Sequence, residues 1–468
     1  MCGIIGVIGS PYASEEVFQG MLNLQHRGQD ASGIMSYNGR FRWHKGEGLV
    51  ESVFTKETLS QLTGMMGVGH TRYPTHGSSS DAQPFFVNHP YGIGMANNGN
   101  IINFPHLQQY LKNEKRRVLE SDNDLEAMLN LFACSLDQND FSADIIFEAV
   151  REIYHRANGG YSTIAMIGDK GMVAFKDPKG IRPLVMGERN DKECGQCYAF
   201  ASEDSALRAM DYTNIHDVKA GEAIYIDMER NVHRRLLEEN HQASCMFEWV
   251  YFARPESEID KRGVYAVRLE LGRHLAKKLK GQDIDLVIPV PDTSRTAAIA
   301  LAETLGVPYR EGLIKNRYIG RTFIMSSQRA RENAVKLKLQ PVLSEISGKN
   351  LVVVDDSIVR GTTARKIIQL LRNCGAKTIY FVSSCPPISY PCYYGIDFPD
   401  PSELAARAGR TIEDLRKEIG ADHLIYQDLR ALKKVLGPDI CRACLDSEYP
   451  TTIFEAGQFE GQRRRDRE

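Results

Sequence analysis

The sequence predicts an α/β protein in two parts: a layered unit with mainly antiparallel sheets, then a parallel sheet wrapped by helices. Three observations carry this. Up to about residue 235, short alternating apolar runs are separated by Gly, Asn and Pro turns, as in GIIGVIGS, GMMGVGHTRY, YGIGMANNGN and GYSTIAMIGD. From about residue 260, continuous apolar runs (DLVIPVP, NLVVVDDS, TIYFVSS) alternate with helical periodicities (VYAVRLELGRHLAKKL, TAAIALAETLG, TTARKIIQLLRNCG), as buried strands joined by crossover helices do. Finally, 468 residues exceed the roughly 100–200 that one core usually organises.

In the first unit, EEVFQGMLNLQHRG and NDLEAMLNLFACSL break the alternation with three-to-four spacing and predict helices. The junction falls within 235–260, so the expected units are 2–235 and 260–450. The second ends in a helical segment containing LAARAGRTIEDLRKEIG, and 451–468, closing on GQRRRDRE, reads as a solvated charged tail. Hydrophobic residues at 42%, charged residues at 25% and a formal net charge of -2 fit a globular enzyme and exclude nucleic acid as an expected partner. No apolar run approaches the roughly 20 residues that span a bilayer, and no signal peptide is visible. A cytoplasmic protein without a membrane partner is expected. Its ten cysteines then point to reduced thiols, catalysis or metal ligation.

Cys2 follows Met1 directly, and a small second residue lets the initiator be removed. An N-terminal cysteine supplies a thiol nucleophile and an α-amine, pKa about 8, suited to act as its base. Met-Cys-Gly alone would be an ordinary start to a buried strand. However, MCGIIGV, LQHRGQDASG, GHTRYPT and NNGNI, in that order, resemble the αββα glutaminase domain of N-terminal-nucleophile glutamine amidotransferases. The resemblance implies that Arg72 grips the glutamine α-carboxylate through a charge-assisted fork. It implies that Asp124 in SDNDLE, with Asp122 as the alternative, takes the α-amine. Asn98 and Gly99 would form the oxyanion hole. Taken singly, each has an ordinary reading: Arg72 as a surface ion pair, Asp124 as a helix N-cap, Asn98-Gly99 as a hairpin turn.

In the second unit, NLVVVDDSIVRGTTARKII is a buried strand ending in two acids, then a small-residue loop, then a helix. Backbone N–H groups and the helix dipole of such a loop cradle phosphate. Asp355 and Asp356 suit ribose hydroxyls or a hydrated Mg²⁺, and Ser357, Gly361, Thr362 and Thr363 suit a 5′-phosphate. The run resembles the phosphoribosyl-diphosphate motif of type I phosphoribosyltransferases, a doubly wound parallel-sheet fold. Upstream, Thr293 and Ser294 in VIPVPDTSRTAA could reach the diphosphate and its metal. Between the motifs, Lys315, Arg317 and Gln328 lie in a stretch that also holds Arg321, Arg329 and Arg331. It is either a solvated basic loop or a cationic lid over departing diphosphate, and the lid is the favoured reading.

Joined in this order, the halves resemble the amidophosphoribosyltransferase family from Cys2 to about Pro450, with FEWVYFARPES and KNRYIGRTFIM among the shared phrases. The resemblance implies that glutamine, phosphoribosyl diphosphate and water give 5-phosphoribosylamine, glutamate and diphosphate, the committed step of de novo purine synthesis. It also implies an internal ammonia channel, a homotetramer, and purine nucleotides as feedback inhibitors. From the family's iron–sulfur branch it implies a [4Fe–4S] cluster on Cys245, Cys392, Cys441 and Cys444. A Cys₄ zinc site pairing Cys194 and Cys197 with Cys441 and Cys444, or no metal, is the alternative. Cys134, Cys374 and Cys385 sit in apolar contexts and read as core. Glucosamine-phosphate synthase, asparagine synthetase and glutamate synthase share the glutaminase, but VVVDDSIVRGTT argues against their second domains. A non-enzymatic phosphoribosyl-diphosphate-binding regulator should have lost Cys2.

Overall fold

The computed structural model of the chain describes residues 1–73, 81–137, 140–316, 339–398 and 401–454. The alternating strands of the first half build two stacked antiparallel sheets. One runs, in spatial order, Thr213–Asp217, Val185–Asp191, Gly195–Ala201, Gly3–Ile8, Met66–Arg72, Ala31–Tyr37, Phe41–Glu47. The other runs Val232–Leu236, Glu222–Asp227, Gly171–Lys176, Gly159–Ile167, Ile93–Ile101, Phe85–Val87.

Period-two alternation decides which residues meet. Ile4 and Ile8 face the second sheet, packing with Ala96, Ile164 and Met172. Ile5 and Val7 face outward to Val17 and Met21 of the helix Ala13–Asn23. That helix lies so close that a Cβ on Gly69 would stand 2.4 Å from Val17 Cγ1. On the opposite side, the helices Asp124–Leu136 and Ala143–Arg156 bury Met128, Phe132 and Phe147 against Met95 and Phe175. The layers are therefore helix, sheet, sheet, helix.

The second half holds a four-stranded parallel sheet in the order Leu286–Pro289, Asn350–Asp355, Thr378–Ser383, His423–Tyr426. Its strands are apolar on both faces because helices cover both. Val287, Val352 and Val382 meet Leu275, Ala298 and Leu301 from the helices Val264–Ala276 and Arg295–Leu305. Ile288, Val353 and Phe381 meet Ile367, Leu371 and Leu415 from Thr362–Asn373 and Ile412–Ile419. This is the doubly wound arrangement expected from the sequence.

A separate apolar cluster fastens the halves together, joining Met1 and Ile181 to Trp249, Val264, Phe398 and Leu432. Within it Ser244–Cys245 pairs in parallel with Ile440–Cys441. At the far end of the chain, Thr451 Oγ1 lies 2.9 Å from the Tyr394 hydroxyl, and Asn158 Nδ2 donates to the Thr452 carbonyl at 2.6 Å. The rest of the charged end, 455–468, lies outside the described residues. Among the described residues, no helix is long and apolar enough to cross a membrane.

Candidate active site

Cys2 leads directly into the strand Gly3–Ile8, whose register pairs Gly3 with Thr71. Cys2 therefore sits beside the C-terminal end of the strand that carries Arg72. Its thiol faces the Tyr73 carbonyl at 3.7 Å, and Arg27 Nε donates to its carbonyl at 3.2 Å. The Cys2 N–H donates to Asn98 Oδ1 at 3.1 Å. That bond fixes which way the Asn98 amide points. Its Nδ2 is then buried without a hydrogen-bond partner among the described residues, a donor held ready for a ligand.

Asn98 and Gly99 are not a hairpin turn. They lie inside the strand Ile93–Ile101, paired with Ser162 and Tyr161. The Asn-Gly signal is local, whereas strand pairing is tertiary and overrides it. Gly99 has a φ of +149°, and a Cβ there would lie 2.0 Å from the Gly160 carbonyl oxygen, so only glycine fits.

Arg72 is 3% exposed and is no surface ion pair; its Nη1 donates to the Asp81 carbonyl at 2.8 Å. Asp124 is not the helix N-cap either. Asn123 is, accepting from the Leu125 N–H at 3.0 Å. Asp124 is the first helical residue and accepts from the Ile101 N–H at 2.7 Å, which ties it to the Asn98 strand. Asp124 is buried, whereas Asp122 is exposed.

Behind Cys2 stands a buried charge network that reading the sequence did not reveal. Arg27 pairs with Glu203 and, at 2.8 Å, with Glu248, which also faces Arg182 at 3.6 Å. His26 Nε2 lies 2.7 Å from Glu203. Glu203 in turn accepts from the Arg254 N–H at 2.9 Å and from the Ser257 hydroxyl at 2.7 Å. Burial pushes the Glu203 carboxyl up, but His26 and Arg27 outweigh it and hold it well below the usual range. Arg27 and its partners are 176 and 221 residues apart in the chain, so no spacing announces them, although LQHRGQ and FEWVYF contain two of them.

In the second half, the strand Asn350–Asp355 ends on the two acids. Gly361, with a φ of +76°, turns the chain into the helix Thr362–Asn373. Ser357 Oγ donates to Asp356 Oδ1 at 2.7 Å. Burial and the neighbouring Asp356 push the Asp355 carboxyl well up, and burial raises Asp356 to about 6. Two adjacent acids made costly to ionise mark a place for a cation.

All six phosphate-loop candidates, Asp355, Asp356, Ser357, Gly361, Thr362 and Thr363, line one cavity of about 440 Å³. Tyr73, His26 and Arg27 line it too, so it reaches the residue whose carbonyl faces the Cys2 thiol. Asp397 also lines it and was not foreseen. Thr293 is half-buried in the turn before Arg295–Leu305. Lys315 is exposed and paired with Asp292 at 2.9 Å. Neither is among that cavity's lining residues. Arg317 and Gln328 lie outside the described residues, as do Arg321, Arg329 and Arg331.

Cys245, Cys392, Cys441 and Cys444 are buried in the cluster that joins the halves, and Cys245 is the strand partner of Cys441. Burial pushes the Cys245, Cys441 and Cys444 thiols up. Arg182 lies within electrostatic reach of Cys245, Cys392 and Cys441, and its Nε and Nη2 are buried without a partner among the described residues. Cys194 and Cys197 face each other at 3.3 Å, Cys194 in the turn between Val185–Asp191 and Gly195–Ala201 and Cys197 within the second of these strands. Among the described residues, no group of three or more His, Cys, Asp or Glu side chains surrounds a single metal-ion position.

A model of the glutamine amidotransferase domain matches residues 70–209, and one of the phosphoribosyl transferase domain matches residues 266–391. The amidophosphoribosyltransferase of Escherichia coli (strain K12) is 47% identical over 92% of this chain and 88% of its own length. That of Pseudomonas aeruginosa is 45% identical over 99% and 92%. The glutamine phosphoribosylpyrophosphate amidotransferase of B. subtilis, solved in complex with ADP and GMP, superposes with a TM-score of 0.87. It is 36% identical and covers 97% of this chain and 98% of that one. At such identity over nearly its whole length, the chain belongs to the amidophosphoribosyltransferase family, the pentosyltransferases that open purine biosynthesis.

Proposed function

We propose that Cys2 is the glutaminase nucleophile, freed as the N-terminal residue by loss of Met1. The observation that carries this is the Asn98 amide, turned by the Cys2 N–H so that its Nδ2 is unspent. Loss of Met1 converts that N–H into a free amine beside Asn98 Oδ1. The amine takes the thiol proton as the sulfur attacks the glutamine carboxamide carbon. Asn98 Nδ2 and the Gly99 N–H receive the oxyanion, and Arg72 and Asp124 hold the α-carboxylate and α-amine. Collapse expels ammonia after the amine returns its proton, and water hydrolyses the thioester to glutamate.

Ammonia then attacks the ribose C1 of phosphoribosyl diphosphate, and the C1–O bond to diphosphate breaks. We assign Asp355 and Asp356 to the ribose and Ser357, Gly361, Thr362 and Thr363 to the 5′-phosphate. Lys315, Arg317 and Gln328 are assigned to the diphosphate. Mg²⁺ would be held by Asp355, Asp356 and Thr293, and its chemistry there is to neutralise the leaving diphosphate. Mg²⁺ commonly binds through one or two carboxylates plus substrate phosphates, so a raised pair suffices without a third acid. The cavity shared with Tyr73 supports direct ammonia transfer.

We assign the four cysteines to a [4Fe–4S] cluster. Such a cluster would take one thiolate at each of its four irons, and these four buried cysteines belong to one apolar cluster of the fold. The partnerless Arg182 nitrogens beside them suit an anionic group. Its role is to tie the C-terminal segment to both halves, and protein purified without oxygen should be brown and contain iron. Colourless protein with stoichiometric zinc would exclude the cluster. We place the domain boundaries at 2–235 and 260–450, with the charged end beyond. The enzyme is assigned to the cytoplasm as a homotetramer inhibited by purine nucleotides, in keeping with the ADP and GMP in the B. subtilis complex.

The test is a glutamine analogue carrying an electrophilic carbon at the carboxamide position. Peptide mass mapping should find one adduct, on an N-terminal Cys2. An adduct on another cysteine, with Met1 retained, would sink the assignment.

A further inference from the structure

Gly99 is clamped from two sides. On one, the strand partner stands so close that a Cβ on Gly99 would reach the Gly160 carbonyl oxygen at 2.0 Å. On the other stands Gly395, from the distant segment that follows Cys392. Gly395 has a φ of +100°, and a Cβ on it would lie 3.2 Å from Gly99 Cα, 3.4 Å from Gly99 C and 3.8 Å from Asn100 N. Here backbone lies against backbone with no side chain between.

The segment is anchored on each side of this contact. Tyr394 is 1% exposed, and its Cβ lies 3.0 Å from the place a Cβ on Gly160 would take. Its N–H donates to Cys392 Sγ at 3.4 Å, and its hydroxyl meets Thr451 Oγ1 at 2.9 Å. Immediately after the glycine, Ile396, Asp397 and Phe398 line the cavity that holds Asp355 and Ser357. One short stretch thus touches the cysteine cluster, the Asn98-Gly99 strand and the phosphoribosyl cavity.

We infer that Gly395 is a positioning residue for glutamine hydrolysis, holding the Gly99 peptide at the angle its N–H needs to meet the oxyanion. The inference rests on the reading of Asn98 and Gly99 as the oxyanion donors. A methyl group at 395 must push Gly99 by a few tenths of an ångström, and oxyanion donors act only when aimed at the transition-state oxygen. Because that contact is absent from bound glutamine, the loss falls on kcat and not on KM.

The test compares Gly395→Ala with Gly409→Ala in the full-length enzyme. Gly409 has a φ of +82° but nothing within 4 Å of its Cβ position, so it carries the backbone strain without the contact. Gly395→Ala should lower glutamine-dependent kcat roughly tenfold to a hundredfold. Its glutamine KM and its ammonia-dependent synthesis should stay within about twofold, and Gly409→Ala should match the parent. Equal loss with glutamine and ammonia, a rise in KM alone, or no change would each overturn the inference. If Gly395→Ala is not recovered folded, Tyr394→Phe decides. It releases the anchor at Thr451 and should reproduce the kcat-only loss at smaller size; unchanged turnover would refute the clamp. Asn98→Ala separates the two claims. Full glutamine turnover in that variant defeats the oxyanion reading itself, whereas its loss beside a normal Gly395→Ala defeats only the role of Gly395.

Discussion

The two reaction centres are prepared in opposite ways. Around Cys2 the polar groups orient one another: the Cys2 N–H sets the Asn98 amide, Arg27 holds the Cys2 carbonyl, and Glu203 and Glu248 hold Arg27. Around Asp355 and Asp356 burial raises both carboxyls, and the charge of Asp356 adds to the rise at Asp355. On the proposed assignment, the first centre has its donors oriented before substrate arrives, as suits a site for a fleeting oxyanion. In the second, on the proposed assignment, the cost of ionising the acids would be relieved when cation and phosphate enter, as suits a site whose ligand brings its own charge.

That contrast can be broken by experiment. The largest effect is expected at Asp355→Asn, which should lower phosphoribosylamine formation by on the order of a thousandfold with glutamine or ammonia as nitrogen source. A loss confined to glutamine would erase the distinction between the centres. Next, Asn98→Ala should cost roughly 10²–10³ in glutamine-dependent kcat and leave ammonia-dependent synthesis intact.

Stability reads the same difference. Arg27→Met removes the cation shared by two buried carboxylates, Glu203 and Glu248, and should cost about 3–5 kcal/mol in denaturant unfolding. Asp356→Asn should do the reverse in the free protein. Its carboxyl is raised from 3.8 to about 6, so above pH 6 the folded state bears the full cost of ionising it. As pH falls from 6 towards 3.8 the folded state takes up the proton and the cost disappears. The substitution should therefore stabilise by on the order of 1–3 kcal/mol at pH 7–8, with the gain vanishing near pH 4. Destabilisation at pH 8 would mean that the acids are not frustrated.

Most of this architecture can be read from the sequence because its signals are local. Cys2, the DDSIVRGTT loop and the switch from alternating to continuous apolar strands each declare themselves within a few residues. For Asn98-Gly99 the hairpin alternative stays open locally, because an Asn-Gly pair looks the same in a turn and in a strand interior, and only the pairing with Ser162 and Tyr161 decides. The Asp124 cap reading fails by one residue, since Asn123 has the equal claim and takes the position. The Arg27 network and the Gly395 contact are invisible for a different reason. Their partners come from segments hundreds of residues away, and a glycine's role against another backbone leaves no trace in periodicity.

The most direct measurement is glutamate release and phosphoribosylamine formation by the intact enzyme and by Cys2→Ala, with glutamine and then with ammonia. Cys2→Ala should show no glutamate release above background while keeping ammonia-dependent synthesis within about twofold of the parent. Glutamine-dependent turnover persisting in that variant would contradict the account.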